Sequence, residues 1–191
     1  MNFSRKGLLT AGVVLLVGTL TGLGTFSAFT GTTTNPDNLL TAGTVTLTDN
    51  DAASPMYSVN PYSGALSSYC INVTYTGSLD ALGELYLADN VSPLGQYAIL
   101  TVEQGDGALL SGAFPACTGF VADSTIFTGT LETFRTTHFD NTTGLTTNPA
   151  GDGEWNTGDQ VAYRFTLEVT NNAGQGLTTG LHDWTWEATG T

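Results

Sequence analysis

Side chains able to carry out acid–base or nucleophilic chemistry are scattered along this sequence. The two histidines, His138 and His182, lie far apart and outside any metal-binding spacing such as HExxH. No Gly-x-Ser-x-Gly motif marks a nucleophilic serine, and no spacing pairs two carboxylates for hydrolysis. The sequence therefore predicts that the protein is not an enzyme, that it has no cofactor, and that both histidines have packing or surface roles.

One acidic loop is a weak candidate for calcium binding. Asp152, Glu154, Asn156 and Asp159 place oxygen-bearing side chains at intervals suited to a hard cation. The loop lacks the central glycine and the distal bidentate glutamate of an EF-hand, and Gly-Asp pairs are also common in hairpin turns. Beyond these four candidates the sequence predicts no metal site.

The two cysteines, Cys70 and Cys117, are typical of a protein exported to an oxidising space. A disulfide between them is the favoured prediction, and two free buried thiols are the alternative. In the alternating stretch 66–75, Cys70 lies on the face opposite Ile71. Its partner is therefore expected from a loop that crosses the outside of the sheet, which residues 111–117 could supply.

Trp184 and Trp186 share one side of the last predicted strand. Such a pair can form a platform on which a sugar stacks, or it can anchor a hydrophobic core. Aromatic-rich strands elsewhere in the chain favour the core, and the glycan-binding alternative stays open.

Three asparagines match the acceptor pattern for N-linked glycosylation: Asn72, Asn90 and Asn141. In a chain rich in threonine and serine such matches also arise by chance. The pattern therefore marks acceptor positions without predicting their use.

The charge distribution excludes several classes of partner. The 191-residue chain has a formal net charge of −13, and every acidic residue follows position 27. Arg5 and Lys6, two of the four basic residues, precede an apolar run. A chain beginning at Ala28 therefore has no lysine and is strongly acidic, which excludes nucleic acid and anionic lipid as partners bound by counterion release.

The N-terminus is typical of an export signal. A basic start precedes the apolar run 8–23, whose length of about 16 residues is short of the ~20 that span a bilayer. Thr25 and Ser27 supply small residues, so we predict cleavage by an export signal peptidase between Ser27 and Ala28. The alternative is an uncleaved membrane anchor, and contact with a membrane is expected only through the uncleaved signal. The predicted location is the extracellular matrix or the cell surface.

Alternating apolar and polar residues predict an all-β domain over residues 39–191. The predicted strands are 42–48, 66–75, 81–88, 96–103, 161–169 and 183–187. Residues 126–134 fit either a strand or a helical turn; 104–124 is a long loop or a short helix, and 140–159 is a long loop. With no linker, repeat or amphipathic helix, this pattern predicts one antiparallel two-sheet sandwich.

An extended polar segment lies between the signal and the domain. Ala28 to Thr34 is strand-prone because of Phe29 and its threonines. The sequence Asn-Pro-Asp-Asn at 35–38 then interrupts it, since proline lacks an N–H and forces extended geometry on its predecessor. The chain thus divides into a signal peptide, 1–27, an N-terminal strand with a hinge, 28–38, and the domain, 39–191.

Several of these stretches together resemble the TasA/camelysin family of exported matrix-fibre proteins. The signal ends Gly-Thr-Phe-Ser-Ala-Phe at 24–29, and the first strand reads Asn-Leu-Leu-Thr-Ala-Gly-Thr-Val-Thr-Leu at 38–47. Tyr-Cys-Ile-Asn-Val at 69–73, Gly-Ser-Leu at 77–79 and Trp-Thr-Trp-Glu-Ala at 184–188 follow in the family's order. The resemblance therefore covers most of the chain.

This resemblance implies a jelly-roll sandwich, removal of the signal by a dedicated signal peptidase, and homopolymeric extracellular fibres. In such fibres the N-terminal segment of one subunit adds as a strand to the next. Carried onto this chain, the donor strand consists of Ala28, Phe29, Thr30, Gly31, Thr32, Thr33 and Thr34. The chain departs from the better-known members by its cysteine pair and by the lack of lysine in its domain. Nothing in it matches a zinc site, so the metallopeptidase label that some members carry is not transferred.

Two functions follow as expectations. The first is a secreted structural subunit that polymerises head-to-tail with copies of itself by donor-strand complementation into matrix or pilus-like fibres. The second is a monomeric cell-surface β-sandwich that binds glycans or calcium.

Overall fold

Two antiparallel β-sheets form most of the fold. The structure is a computed structural model, and it describes residues 42–57, 64–149, 153–170, 174 and 176–191. The described residues form eight strands and one short α-helix, within a compact unit that runs from Ala42 to Thr191. The predicted signal peptide, 1–27, and the donor strand with its hinge, 28–38, lie outside the described residues.

In chain order the elements are β1 (Leu47–Asp49), β2 (Leu66–Tyr75), β3 (Ala81–Tyr86), β4 (Ala98–Asp106), β5 (Ser124–Thr130), α1 (Leu131–Thr137), β6 (Leu145–Thr146), β7 (Gln160–Val169) and β8 (Thr185–Gly190). Five strands pair in the order β1-β2-β7-β4-β5, and three pair in the order β6-β3-β8. The prediction of two antiparallel sheets is confirmed, and the described residues are mostly β, with one short helix where an all-β domain was predicted.

The two longest strands, β2 and β7, lie side by side in the larger sheet and pair antiparallel along their length. Side chains alternate between the faces of a sheet, so Ile71 and the opposing Tyr163 both point into the core. These strands agree closely with the predicted 66–75 and 161–169, because one buried face makes their alternation regular.

Apolar side chains of both sheets meet in one core. Its largest fully buried members are Tyr75, Leu85, Leu87, Leu100, Leu131, Phe134, Trp155, Tyr163 and Phe165. Leu85 belongs to the smaller sheet and Phe165 to the larger one, so the shared core ties the sheets together. Burial of one such side chain stabilises the fold by about 1.5–3 kcal/mol.

Residues 140–159, predicted as a loop, supply part of the smaller sheet. β6 pairs with β3, and Trp155 forms an isolated bridge with Ala81. The Trp155 indole is fully buried, and its Nε1 donates a hydrogen bond of 2.8 Å to the Thr147 carbonyl. The loop prediction is wrong here because a two-residue strand and a single bridge are too short to produce alternation.

The helix α1 corrects the prediction that the domain has no amphipathic helix. Thr130 caps it, since its Oγ1 accepts a hydrogen bond of 3.0 Å from Thr133 N. Leu131 and Phe134 are buried, three positions apart on one helical face. The open alternatives for 126–134 are therefore both realised, because the strand β5 ends where this cap begins the helix. No helix among the described residues is long and apolar enough to cross a membrane.

The strand β1 is shorter than the predicted 42–48. The carbonyls of Thr44 and Thr46 still accept hydrogen bonds of 2.8 Å and 2.9 Å from Ser78 N and Thr76 N. Residues 44–46 therefore run beside residues 76–78, which form the turn after β2. The regular pairing of β1 with β2 does not extend into this turn.

Three other strand boundaries also move. β3 ends at Tyr86, β4 covers Ala98–Asp106, and β8 covers Thr185–Gly190. Each strand covers the residues that pair with its neighbour, β3 with β8 and β4 with β7, and local alternation does not report where that pairing ends.

Candidate functional site

An open cleft of about 830 Å³ lies between the two sheets. Side chains of the larger sheet form its floor and two tryptophans form a wall: Ser67, Ile71, Leu167, Val169, Trp184 and Trp186. The floor comes from the inner faces of β2 and β7, which also build the core. The cleft is therefore an exposed continuation of the core.

The strand β8 is the edge of the smaller sheet beside this cleft. It pairs with β3, and no second strand among the described residues pairs with it. Thr191 N donates to Asp80 O at the end of that ladder, so by alternation the main chain of Glu187 faces β3. The main-chain N–H and C=O groups of Trp186 and Ala188 therefore point to the opposite edge. Such an edge can accept an extended segment as a further strand.

A hydrogen-bonded network of three rings supports the mouth of the cleft. The Tyr57 hydroxyl lies 2.6 Å from His182 Nε2 and accepts a hydrogen bond of 3.2 Å from Trp184 Nε1. His182 Nδ1 faces the Gly180 carbonyl at 3.3 Å, and a carbonyl only accepts, so Nδ1 carries the proton of the neutral ring. The Tyr57 hydroxyl therefore donates to Nε2. Burial raises the pKa of Tyr57 and lowers the pKa of His182, since burial disfavours the charged form of each. The network is therefore neutral near pH 7.

Carboxylates surround the same opening. Asp49, Asp51 and Asp183 line the cleft, and no lysine or arginine lies among its described lining residues. Desolvation by burial raises the pKa of Asp49. The main-chain N–H of Asp183 donates a hydrogen bond of 2.8 Å to Asp89, which fixes this part of the rim. The opening therefore disfavours acidic ligands and admits neutral or basic ones.

Trp184 and Trp186 are partly buried and pack against the core. The Trp184 ring lies 4.6 Å from the Phe165 ring and 5.1 Å from the Phe134 ring, measured between centroids. The Trp186 ring lies 5.4 Å from the Tyr163 ring. These ring contacts agree with the favoured core role.

A surface segment, residues 107–123, connects β4 to β5 across the outer face of the larger sheet, and we call it the strap. Its Cys117 is joined to Cys70 of β2 by a disulfide, with the two Cα atoms 5.0 Å apart. Cys70 is fully buried on the face opposite Ile71, where the sequence places it. The strap thus crosses the outside of the sheet and reaches β2.

The part of the strap that follows Cys117 is held by contacts with the strands β7 and β4, which it crosses on its way back to β5. The Arg164 guanidinium lies 4.7 Å from the centre of the Phe120 ring. Arg164 Nε also donates a hydrogen bond of 2.6 Å to Glu103 on the neighbouring strand, which raises the pKa of Arg164. Asp123 N then donates to the Gln104 carbonyl at 2.8 Å, where the strap meets β4 again.

The two histidines have packing partners. His138 Nδ1 lies 2.8 Å from the Thr143 carbonyl, and its ring lies 4.9 Å from the Phe134 ring. His182 belongs to the ring network at the cleft. Within the described residues neither imidazole forms a hydrogen bond with a serine, a threonine hydroxyl or a thiol.

The calcium candidates are partly described, since Asp152 lies outside the described residues. Asp159 Oδ2 accepts a hydrogen bond of 2.6 Å from Asn156 N, and the Asn156 carbonyl accepts one of 3.0 Å from Asp159 N. The Glu154 carbonyl accepts from the Asn156 side chain at 3.5 Å. In the part of the chain that the structure describes, no group of three or more histidine, cysteine or acidic side chains could hold a metal ion.

The three glycosylation acceptors differ in setting. Asn72 lies in β2, where its side chain donates a hydrogen bond of 3.0 Å to Gln160. Asn90 and Asn141 are exposed in loops, and Asn141 donates a hydrogen bond of 2.9 Å to Glu187. Only the latter two present the acceptor amide on an exposed loop.

Sequence reasoning did not find the cleft, because its floor and wall come from strands far apart in the chain. No local pattern marks β8 as a strand that pairs with a single neighbour among the described strands. Neither a scan against protein-family models nor a search of curated proteins finds a match to this sequence. Function is therefore argued from the geometry.

Proposed function

We propose that this protein is a secreted structural subunit of an extracellular matrix or pilus-like fibre. An export signal peptidase removes the signal between Ser27 and Ala28, and the released segment Ala28–Thr34 adds as a strand to the next copy. Donation leaves a free donor at one end of the assembly and a free acceptor at the other, so repetition produces a head-to-tail homopolymer.

The observation that carries this proposal is the edge of β8 beside the open cleft, with which no described strand pairs. An incoming strand would satisfy the main-chain groups of Trp186 and Ala188 and place every second side chain in the cleft. Main-chain hydrogen bonds supply affinity in such pairing, and the side chains in the cleft supply specificity.

The order of the strands in the two sheets supports the same position for the donor strand, beside β8. A jelly roll places its second, seventh, fourth and fifth strands in one sheet, and its first, eighth, third and sixth in the other. The described orders β2-β7-β4-β5 and β8-β3-β6 are compatible with this arrangement, and β1 departs from it because it pairs with β2 and not with β8. The place beside β8, which the first strand of a jelly roll occupies, is the place proposed for the donor.

The donor segment suits this cleft chemically. Ala28–Thr34 has no charged residue, so the acidic rim does not repel it. Phe29 is its one large apolar side chain, and in an extended segment Phe29, Gly31 and Thr33 share a face. We assign this face to the cleft, with Phe29 buried in it.

Negative-stain microscopy of two chains, one beginning at Ala28 and one beginning at Asn38, tests the proposal. We expect long fibres from the first and monomers from the second. Fibres from both would overturn donation by the N-terminal segment, and monomers from both would overturn the structural function itself.

The second candidate is a monomeric surface protein that binds glycans. Its supporting observation is the pair Trp184 and Trp186 in an acid-rimmed cleft, a combination that can stack and hydrogen-bond a sugar. Both indoles use much of their surface against the core, which favours the fibre. Quenching of tryptophan fluorescence by oligosaccharides, in a chain that stays monomeric, would support this candidate.

A further inference from the structure

The strand β2 combines an exposed position with an association-prone sequence. Its ten residues, Leu-Ser-Ser-Tyr-Cys-Ile-Asn-Val-Thr-Tyr, contain no charge, proline or glycine, although the whole chain has a net charge of −13. Uncharged, strand-prone segments without proline are the sequence signature of β-association. β1 pairs only with the far end of β2, opposite residues 73–75, and the first residue of β2, Leu66, is 69% exposed.

The middle of the β2 edge is covered, but not by a strand. Thr76 N bonds toward β1, so by alternation the N–H groups of Cys70 and Asn72 also face this edge. The Pro115 carbonyl of the strap accepts from Cys70 N at 2.9 Å. The Asn50 side chain accepts from Asn72 N at 2.9 Å. Each cover uses an edge donor that would otherwise pair with another chain.

The disulfide holds the first of these covers in place. Cys117 lies two positions after Pro115, and its bond to Cys70 fixes the tip of the strap against the strand whose N–H it caps. The other main-chain hydrogen bonds near the tip, from Ser111 N to Thr118 O and from Ala116 N to Ala113 O, remain within the strap. The disulfide is thus the covalent attachment of the tip to β2, and the Phe114 side chain adds an apolar contact with the core.

We propose that the strap guards the β2 edge, and that opening the Cys70–Cys117 disulfide converts this edge into a docking surface for the β2 edge of a second copy of the chain. An isologous, antiparallel pairing of two identical strands satisfies both edges at once. The absence of charge on β2 removes the like-charge repulsion that the rest of this acidic chain would impose. The proposal uses the edge of β2 and not that of β8, although Phe114 of the strap and Ser67 of β2 also line the cleft proposed for the donor.

The opening step is thiol–disulfide exchange with a dithiol reductant. A thiolate of the dithiol attacks the Cys117 sulfur, the more exposed of the two, and the Cys70 sulfur leaves as a thiolate that takes up a proton. The second thiol of the reductant then displaces Cys117. The protein gains two thiols, the reductant becomes a cyclic disulfide, and two electrons and two protons are transferred.

The test compares the chain beginning at Ala28 in three forms: oxidised, treated with the dithiol, and as the double variant Cys70→Ala/Cys117→Ala. At a dilution where each form is monomeric, hydrogen exchange at the amide of position 70 should become about tenfold faster in the last two, as the loss of one hydrogen bond of ordinary strength implies. Sedimentation should show added, concentration-dependent association in the same two forms. Because Phe114 of the strap also lines the donor cleft, the comparison is repeated with chains that begin at Asn38 and lack the donor, which separates β2 association from fibre growth through β8.

Adding Ser68→Pro to the double variant tests whether the new association takes place through the β2 edge. The Ser68 N–H faces the edge by the same alternation, so its removal leaves the β2–β7 ladder intact while blocking a new strand. Ser68→Lys, which adds a charge at the edge, should act in the same direction. Both should abolish the added association. Both also remove the exposed 2.9 Å hydrogen bond between the Ser68 and Thr166 hydroxyls, so Ser68→Ala in the double variant is the stability control.

A folded double variant with no added association would overturn the proposal. Association that survives both Ser68 variants would also overturn it, because another surface would then be responsible. If the double variant does not fold, Asn50→Ala decides, since it uncovers Asn72 with the disulfide intact. It should accelerate exchange at the Asn72 amide about tenfold and produce association that Ser68→Pro removes. If Asn50→Ala produces neither the faster exchange nor the association, the proposal that the strap protects the β2 edge is rejected.

Discussion

Replacement of Phe29 tests strand donation at the donor's one large apolar side chain. In the proposed assembly this ring enters a cleft floored by Ser67, Leu167 and Val169. Phe29→Ala keeps the strand propensity of the remaining threonines and every main-chain hydrogen bond. It therefore removes side-chain burial alone.

The size of the expected effect follows from the cleft. Its volume of about 830 Å³ is large enough to bury a phenylalanine ring. Full burial of such a side chain is worth about 1.5–3 kcal/mol. A loss of about 2 kcal/mol weakens each subunit contact roughly 30-fold, so the critical concentration for fibre growth should rise by the same factor.

Light scattering against protein concentration, with microscopy of the end points, measures this critical concentration. The matched control is Thr30→Ala, because position 30 faces away from the cleft in the same strand. It should change the critical concentration by less than about threefold, the effect of an ordinary surface substitution.

A reciprocal variant examines the acceptor. Ser67 lies on the cleft floor opposite Leu167, so Ser67→Phe should fill the entrance and prevent growth without touching the donor. The two defective chains are complementary, since Phe29→Ala keeps its acceptor and Ser67→Phe keeps its donor. Their mixture should form dimers that do not elongate. An unchanged critical concentration for Phe29→Ala, or normal fibres from Ser67→Phe, would refute the assignment of this cleft.

Three further predictions concern stability. Cys117→Ala should lower the free energy of unfolding by about 4 kcal/mol, because it removes a disulfide between cysteines 47 residues apart and so restores the loop entropy of the unfolded chain. An equal denaturation midpoint with and without reductant would contradict this prediction. Gly83→Ala should cost about 1–3 kcal/mol, because its Cβ would lie 2.4 Å from Trp155 Nε1; urea titration measures this, and exposed Leu82→Ala, costing about 0.5 kcal/mol, is the control. Burial lowers the pKa of His182 below its ordinary 6.5, so stability should fall as pH drops below about 6.5. His182→Gln should flatten that part of the thermal-midpoint profile, and parallel profiles would count against the assignment.

The parts of the fold that the sequence predicted are those with a local signal. β2 and β7 each bury one face along ten residues, so alternation identified them with nearly correct ends. The position of Cys70 on the outer face also followed from alternation, and it led to the outside crossing by the strap. Each of these features depends on neighbours within one strand.

The parts that it missed depend on partners distant in the chain. Trp155 is buried because Ala81 and the Thr147 carbonyl meet it, and nothing within its own loop indicates this. The start of α1 depends on whether Thr130 continues a strand or caps a helix, and the burial of Leu131 and Phe134 decides it. The cleft is a further case, since it lies beside an edge of β8 with which no strand among the described residues pairs.

The edges of β2 and β8 differ in whether their main-chain groups are covered. At β2, the N–H groups of Cys70 and Asn72 are capped by a carbonyl and a side chain, and a covalent bond holds the first cap in place. At β8, no described strand covers the edge, and an apolar cleft lies beside it. A monomer would be expected to block both edges, since either one invites association. A subunit that elongates through one edge must block the other, because a second reactive edge would add sideways growth. Guarding β2 while leaving β8 open is the arrangement that favours linear growth.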